Sequence, residues 1–393
     1  MAAKFNQILI KMFDTHQAVH RRPTQPKHPV EEAAMTVLNL PTTPNNPLTA
    51  PDAFQMVGPM ELRFNTDLSF MENHRFDETA TFYNSDYENS QAHSAQFKSH
   101  MLKVLDLLVD TYPKGSKLVE VGCGKGDFLE LAEATNHFDC IGYDETYSGS
   151  NSRVEKRYLV EGDKIDCDIV VLRHVLEHIP QPQNFLKMLK SVFGETDIYI
   201  EVPNFDWILT HNTFFDITYE HVNYFTPKAL AELFDQEVRA AQLCFDDQYQ
   251  YVIANLGSLG GRFEQSYTSD AWKMVSIDEM FPKLEAQIEE LDRLVGPNQS
   301  CYFWGGATKG CMFLWHANRL ERLVDRVPYA IDINPGKQGR WLPGSLVPIE
   351  SPDRFFKDAK SGDVLAIANP AYKDEIEARL KDHKLDFVSV YGL

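Results

Sequence analysis

Three glycines at alternate positions, Gly122, Gly124 and Gly126, stand in the run V-E-V-G-C-G-K-G-D over residues 119–127. Glycines between a strand and a helix allow a tight turn and let a ligand approach the backbone closely. The spacing is near that of a dinucleotide fingerprint, and a glycine count alone does not separate the two. Two details do. Glu120 precedes the first glycine inside the strand, and bulky Phe128 follows where a dinucleotide fold needs a small residue. Asp144 lies 22 positions beyond Gly122 and ends the next apolar run. A carboxylate there can accept both hydroxyls of a ribose.

A second cluster is R-H-V-L-E-H over 173–178. His174 and His178 are four apart with Glu177 between them, which matches the H-x-x-E-H pattern of one zinc peptidase class. Pro180 and Pro182 break any long helix that would present both imidazoles to one metal. The expectation is therefore no metal, with Arg173 and His174 near the bound ligand and His178 structural. A third cluster, Tyr219, Glu220, His221 and Tyr224, follows the run E-V-P-N that ends at Asn204. A histidine beside an acid and flanked by tyrosines suits a general base of fixed orientation.

The elements that must position these groups are legible in the hydrophobic period. Phe97, Met101, Val104, Leu105 and Leu108 predict a helix over 95–112. Short apolar runs at 117–121, 140–143, 168–172 and 197–202 predict strands, with helical segments between them. The run D-I-V-V-L at 168–172 is the uninterrupted type that is buried on both faces. Alternation of strand and helix predicts an α/β domain with a mainly parallel sheet. Phe281, Leu284, Ile288, Leu291 and Leu294 predict a linker helix, and the alternation restarts with 301–304, Gly305-Gly306, 327–331 and 363–367. The expected organisation is an N-terminal helix (Phe5, Ile8, Leu9, Met12 and Phe13) and proline-rich arm over 1–75. A ligand-binding α/β domain over 76–258, a linker region over 259–299 and a second, smaller α/β domain over 300–393 complete it.

The 393 residues carry a formal charge of -19, with 43% hydrophobic and 24% charged residues. That composition is globular, and so acidic a chain without a basic stripe excludes nucleic acid as a partner. The six cysteines form no C-x-x-C pair and read as reduced thiols. The N-terminus has no signal-peptide pattern and no apolar run is long enough to span a bilayer, so a cytoplasmic protein off the membrane is expected. The arm packs on its own domain or on a second subunit, and a homodimer is compatible with the latter.

The E-x-G-x-G-x-G run with Asp144 downstream, and D-I-V-V-L-R-H-V-L-E-H-I-P over 168–180, resemble the motifs of class I S-adenosylmethionine-dependent methyltransferases. The resemblance implies a Rossmann-like fold. It also implies S-adenosyl-L-methionine held by Glu120, Gly122, Cys123, Gly124, Gly126, Asp144, Arg173 and His174. That cofactor has a ribose and an amino-acid tail but no pyrophosphate, as the turn requires. From about Tyr83 onward the chain is similar to C-methyltransferases of nucleotide-linked keto sugars. The carrying segments are E-V-P, Y-E-H-V-N-Y-F, G-A-T-K-G at 306–310 and D-I-N-P-G-K-Q-G-R-W-L-P-G at 332–344. Two departures stand out: Tyr219 replaces the family's first histidine, and the N-terminal zinc module is missing, since no cysteine precedes Cys123.

That resemblance implies a small-molecule substrate and a metal-free mechanism. His221 removes a proton beside a ketone, Glu220 sets its tautomer, and Tyr219, Tyr224 or Asn204 bonds the enolate oxygen. Lys309, Lys337 and Arg340 are candidate partners of a nucleotide diphosphate. An O- or N-methyltransferase of a sugar or other small metabolite, or a non-catalytic cofactor-binding protein, is the alternative.

Overall fold

The computed structural model describes residues 37–81, 90, 92–235, 238–385 and 388–393. The amphipathic stretch over Phe5–Phe13 lies outside them.

A seven-stranded sheet organises the first α/β unit. Counted along the chain, its strands are Lys117–Val121, Asp139–Tyr143, Val154–Glu155, Ile169–Arg173, Asp197–Pro203, Ala240–Cys244 and Tyr249–Asn255. Across the sheet they run third, second, first, fourth, fifth, seventh, sixth. The first five are mutually parallel, and the seventh is antiparallel to the fifth. Residue alternation sends Val119, Val170, Leu172, Ile198 and Ile200 into one core layer. It sends Leu118, Ile169, Val171 and Tyr199 into the other, under the helix Ala95–Thr111. That helix starts where the Ser94 side chain accepts the Phe97 N–H, which satisfies one orphan donor of its first turn.

The second unit has five parallel strands: Cys301–Trp304, Ala330–Ile331, Ile349–Glu350, Val364–Ile367 and Ser389–Gly392, ordered third, second, first, fourth, fifth. In each sheet the order reverses between the first and fourth strands. A crevice opens at such a switch point, beyond the carboxyl ends of the strands.

The units share one apolar core. Phe303 and Phe313 of the second pack with Phe214, Phe215 and Tyr224 of the first. The Phe214 and Phe313 ring centroids are 5.5 Å apart. The linker helix Leu284–Leu294 adds Leu284, Ile288 and Leu291 to this core, whereas Leu294, at its last position, turns outward. The described part of the expected arm is strand-rich. Leu38–Pro41 pairs with Val57–Met60. Leu62–Asn65 and Phe70–Asn73 join Asn223–Phe225 and Trp272–Met274 in an antiparallel sheet. Pro44 and Pro51 fall in turns, Pro41 ends its strand, and Pro59 lies in a two-stranded pair with open edges, where a missing N–H costs little.

Candidate active site

Both switch points open onto one cavity of about 400 Å³. The first unit contributes Gly122–Gly124 and Arg173–Val175, and the second contributes Gly305, Ala307–Lys309 and Ala368–Asn369. The site is therefore built between the units.

The glycine turn has left-handed φ at Gly122 (75°), Gly124 (57°) and Gly126 (86°). A Cβ on Gly122 would lie 2.5 Å from Val175 Cγ2, so the turn demands glycine there. Asp144 sits behind it. Its Oδ2 accepts the Gly124 N–H at 2.9 Å, and its Oδ1 accepts from the Thr146 N–H and hydroxyl at 2.7 Å. It lines a small adjoining pocket that shares Gly122 and Val175 with the main cavity. Cys123 is buried within the turn and lines the main cavity.

Glu120 Oε2 and Arg173 Nε are among the buried atoms on the cavity wall that lack a hydrogen-bond partner. Burial pushes the Glu120 carboxyl up to about 8, against the opposing Arg173 charge. One open oxygen of Glu120 and the open Nε of Arg173 on this wall fit the ammonium and carboxylate of an amino-acid tail, and the ribose of the same ligand fits an acid at Asp144. The residues present therefore fit S-adenosylmethionine.

Beside Arg173 lies a buried polar hub that sequence reasoning missed. Glu201, fully buried, accepts from Arg173 at 3.0 Å, from the Tyr199 hydroxyl at 2.6 Å and lies 3.1 Å from His100 Nε2. His174 Nε2 is 3.0 Å from the same carboxylate and its Nδ1 is 3.5 Å from Glu177. Burial alone would lower the His174 imidazole, but Glu177 and Glu201 outweigh it and raise it to about 9. Burial likewise opposes the Glu201 charge, yet Arg173 and the two histidines hold it well below the usual carboxylate range. The available signals were an acid inside the apolar run I-Y-I-E-V and a histidine on the apolar face of a helix.

His178 and His221 both face the cavity. His178 Nδ1 donates to the Glu220 carbonyl at 2.8 Å, which leaves its Nε2 as the unprotonated nitrogen of a neutral ring. Burial, with His178 adding to it, lowers the His221 imidazole to about 3, so the ring is neutral at neutral pH. Glu220 also lines the cavity.

Three expected enolate partners stand elsewhere. Tyr224 Oη accepts from the Thr218 N–H and donates to the Thr218 carbonyl. Tyr219 Oη accepts from the Asp77 N–H at 2.8 Å. Asn204 caps the helix Phe205–Thr210 and donates to the Asp247 carbonyl. None of the three lines the cavity. Their aromatic rings and amide are consumed in fastening the loop to the core. Of the expected cations, Lys309 lines the cavity, paired with Asp216 and stacked over Trp207. Lys337 also lines it and donates to Asn45 at 2.7 Å, whereas Arg340 lies outside it. Among the described residues no helix is long and apolar enough to cross a membrane.

A methyltransferase-domain family model matches residues 92–237, and a C-methyltransferase C-terminal domain model matches residues 282–387. The chain is 26% identical to the C-methyltransferase NovU of Streptomyces niveus over 294 residues, 65% of this chain and 67% of that protein. Among solved structures it is similar to an S-adenosylmethionine-dependent methyltransferase of Archaeoglobus fulgidus. That pair has 19% identity and a TM-score of 0.31, covering 41% of this chain and 95% of the other. It is also similar to the 1,6-didemethyltoxoflavin-N1-methyltransferase of Burkholderia thailandensis, with 13% identity and a TM-score of 0.30, covering 41% and 78%. With one matched domain on each side of the shared cavity, the chain is a class I S-adenosylmethionine-dependent methyltransferase that carries a C-methyltransferase C-terminal domain.

Proposed function

We propose that the enzyme methylates the carbon beside the ketone of a nucleotide-linked keto sugar, with His221 as general base. The observation that carries this reading is that His221 and the switch point of the C-terminal sheet open onto the same cavity. A ligand anchored by its nucleotide in the second crevice extends its sugar towards the glycine turn of the first. Lys337, buried among the loops after Ile331, is the cation at the nucleotide end. Lys309 stands at the other end, where its charge acts on His221.

S-Adenosylmethionine supplies an electrophilic methyl group on a sulfonium. Glu120 and Arg173 hold its amino-acid tail, the Gly122–Gly126 backbone underlies it, and Asp144 takes the ribose. Deprotonation breaks a C–H bond acidified by the ketone and forms an N–H bond on His221. The electron pair becomes an enolate. With Tyr219, Tyr224 and Asn204 engaged in the scaffold, the cavity-lining Lys309 ammonium, paired with Asp216, is our candidate donor to the enolate oxygen.

Deuterium exchange tests the reading. Wild-type enzyme with S-adenosylhomocysteine should wash solvent deuterium into the carbon beside the ketone of its nucleotide-sugar substrate, because deprotonation needs no methyl donor. A methyl group found on oxygen or nitrogen, with no washout, would assign the chain to the O- or N-methyl reaction instead.

A further inference from the structure

The acid that serves His221 need not be its sequence neighbour. The side chains of Glu177, His178 and His221 converge, with one carboxylate oxygen and one ring nitrogen from each imidazole within 4.8 Å of one another. All three line the cavity. Glu177 is 2% exposed, and its Oε2 is buried without a hydrogen-bond partner. A buried carboxylate oxygen left unmet is costly unless a partner arrives during function.

The backbone holds this convergence in register. Val222 N–H donates to the Glu177 carbonyl at 2.8 Å, one residue beyond His221. The Asn223 side chain donates to the carbonyls of Leu176 and Ile179 at 3.0 and 2.7 Å. His178 Nδ1 donates to the Glu220 carbonyl. The turn at 176–179 and the segment at 220–223 are thereby stitched together, and Glu177 keeps a fixed position relative to His221.

We propose that Glu177 is the positioning carboxylate of the reaction: it selects the His221 tautomer and balances the imidazolium formed on proton abstraction. This rests on His221 being the base. One ring N–H of His221 closes onto Glu177 Oε2 when substrate is bound, which leaves the other nitrogen's lone pair on the substrate carbon. Catalytic hydrogen bonds that are long in the unliganded enzyme often tighten in this way. The charged and titratable groups facing this pair are His174 and His178 from the same turn and Lys309 from the C-terminal unit. The two neighbouring imidazoles and the lysine all disfavour a positive charge on His221, and Glu177 is the carboxylate that opposes them. Burial works against the Glu177 charge, but the His174 contact, with His178 and His221 close by, holds its carboxyl below the usual range.

The test uses the full chain with S-adenosylhomocysteine bound, in wild type, Glu177→Gln, Glu177→Asp and His221→Asn. Histidine-selective ¹⁵N spectra report the His221 tautomer, and deuterium washout from a nucleotide-linked keto sugar that wild type exchanges reports proton abstraction. The expected result is one His221 tautomer in wild type and a mixture in Glu177→Gln. Washout should fall at least tenfold in that variant, with cofactor affinity within about twofold of wild type, the scale of a lost orienting group. Glu177→Asp keeps the charge and should recover part of the rate, and it remains informative if the Gln variant folds poorly. An unchanged tautomer and unchanged washout in either folded variant overturn the proposal. Washout that survives in His221→Asn overturns the base assignment instead, a separate failure.

Discussion

His178 and His221 pack edge to face, with ring centroids 4.9 Å apart and an interplanar angle of 83°. The pair joins the R-H-V-L-E-H stretch to the Y-E-H stretch, which are more than 40 residues apart in sequence. Burial lowers both imidazoles, and His178 adds to the lowering of His221, so both stay neutral near pH 7. A neutral imidazole is the form that can accept a substrate proton.

Replacing the base should separate chemistry from binding. His221→Ala and His221→Asn are expected to lower methyl transfer by about 10² to 10⁴ while cofactor affinity holds, the usual range for a general base. Glu220→Gln should have a smaller effect. Steady-state rates with calorimetric cofactor binding check both. Normal methylation by the His221 variants would end the proposed mechanism.

Asp144→Ala should weaken S-adenosylmethionine binding by about 1.5–3 kcal/mol, the scale of hydrogen bonds to a charged group. The same carboxylate props the glycine turn through the Gly124 N–H. Weaker binding of free adenosine as well as of the whole cofactor is therefore expected by calorimetry. Wild-type affinity in the variant would remove Asp144 from the site.

Purified enzyme should carry no stoichiometric zinc by elemental analysis. His174 is turned onto Glu177 and Glu201, so the two histidines of H-x-x-E-H do not converge on one ion. Glu177, His178 and His221 do come together, and one tightly held metal per chain would occupy the very nitrogen that a base needs.

Acid should loosen the joint between the units. His316 is fully buried against Phe214, and neither ring nitrogen has a hydrogen-bond partner. Burial lowers it from 6.5 to about 3. Between those values the unfolded chain binds a proton that the folded chain does not, so stability falls as pH drops below 6.5. The linkage amounts to about 2 kcal/mol at pH 5. His316→Phe should flatten the fall in melting temperature between pH 7 and pH 5. An unaltered slope would show that His316 is not the group responsible.

Phe214→Ala opens a cavity in the core common to both units and should cost about 3–5 kcal/mol. Because that core aligns the two crevices, substrate KM should rise along with the loss in thermal stability. Thermal melts paired with kinetics check this, and a stability loss without a KM change would uncouple the joint from the site.

Much of the fold was legible in the chain itself, because hydrophobic period and glycine placement are local properties. The strand at 117–121, the helix starting at Ala95 and the strand at 301–304 stand where their patterns put them. So do the positive φ angles of Gly122, Gly124 and Gly126, which a strand-to-helix turn demands of any sequence. Convergence of side chains from distant segments is not local. Glu201 and His100 looked like a strand acid and a helix histidine, yet they meet because the helix Ala95–Thr111 lies across the sheet. Tyr219, Tyr224 and Asn204 had suitable chemistry and proximity in sequence, but buried hydroxyls and amides must find partners, and the nearby backbone satisfied them first. The sequence marked the two glycine turns, at Gly122–Gly126 and Gly305-Gly306, separately. Only the core shared by Phe214, Phe215, Phe303 and Phe313 turns them to face one cavity, since a rigid apolar interface sets the relative orientation of two sheets that no local pattern encodes.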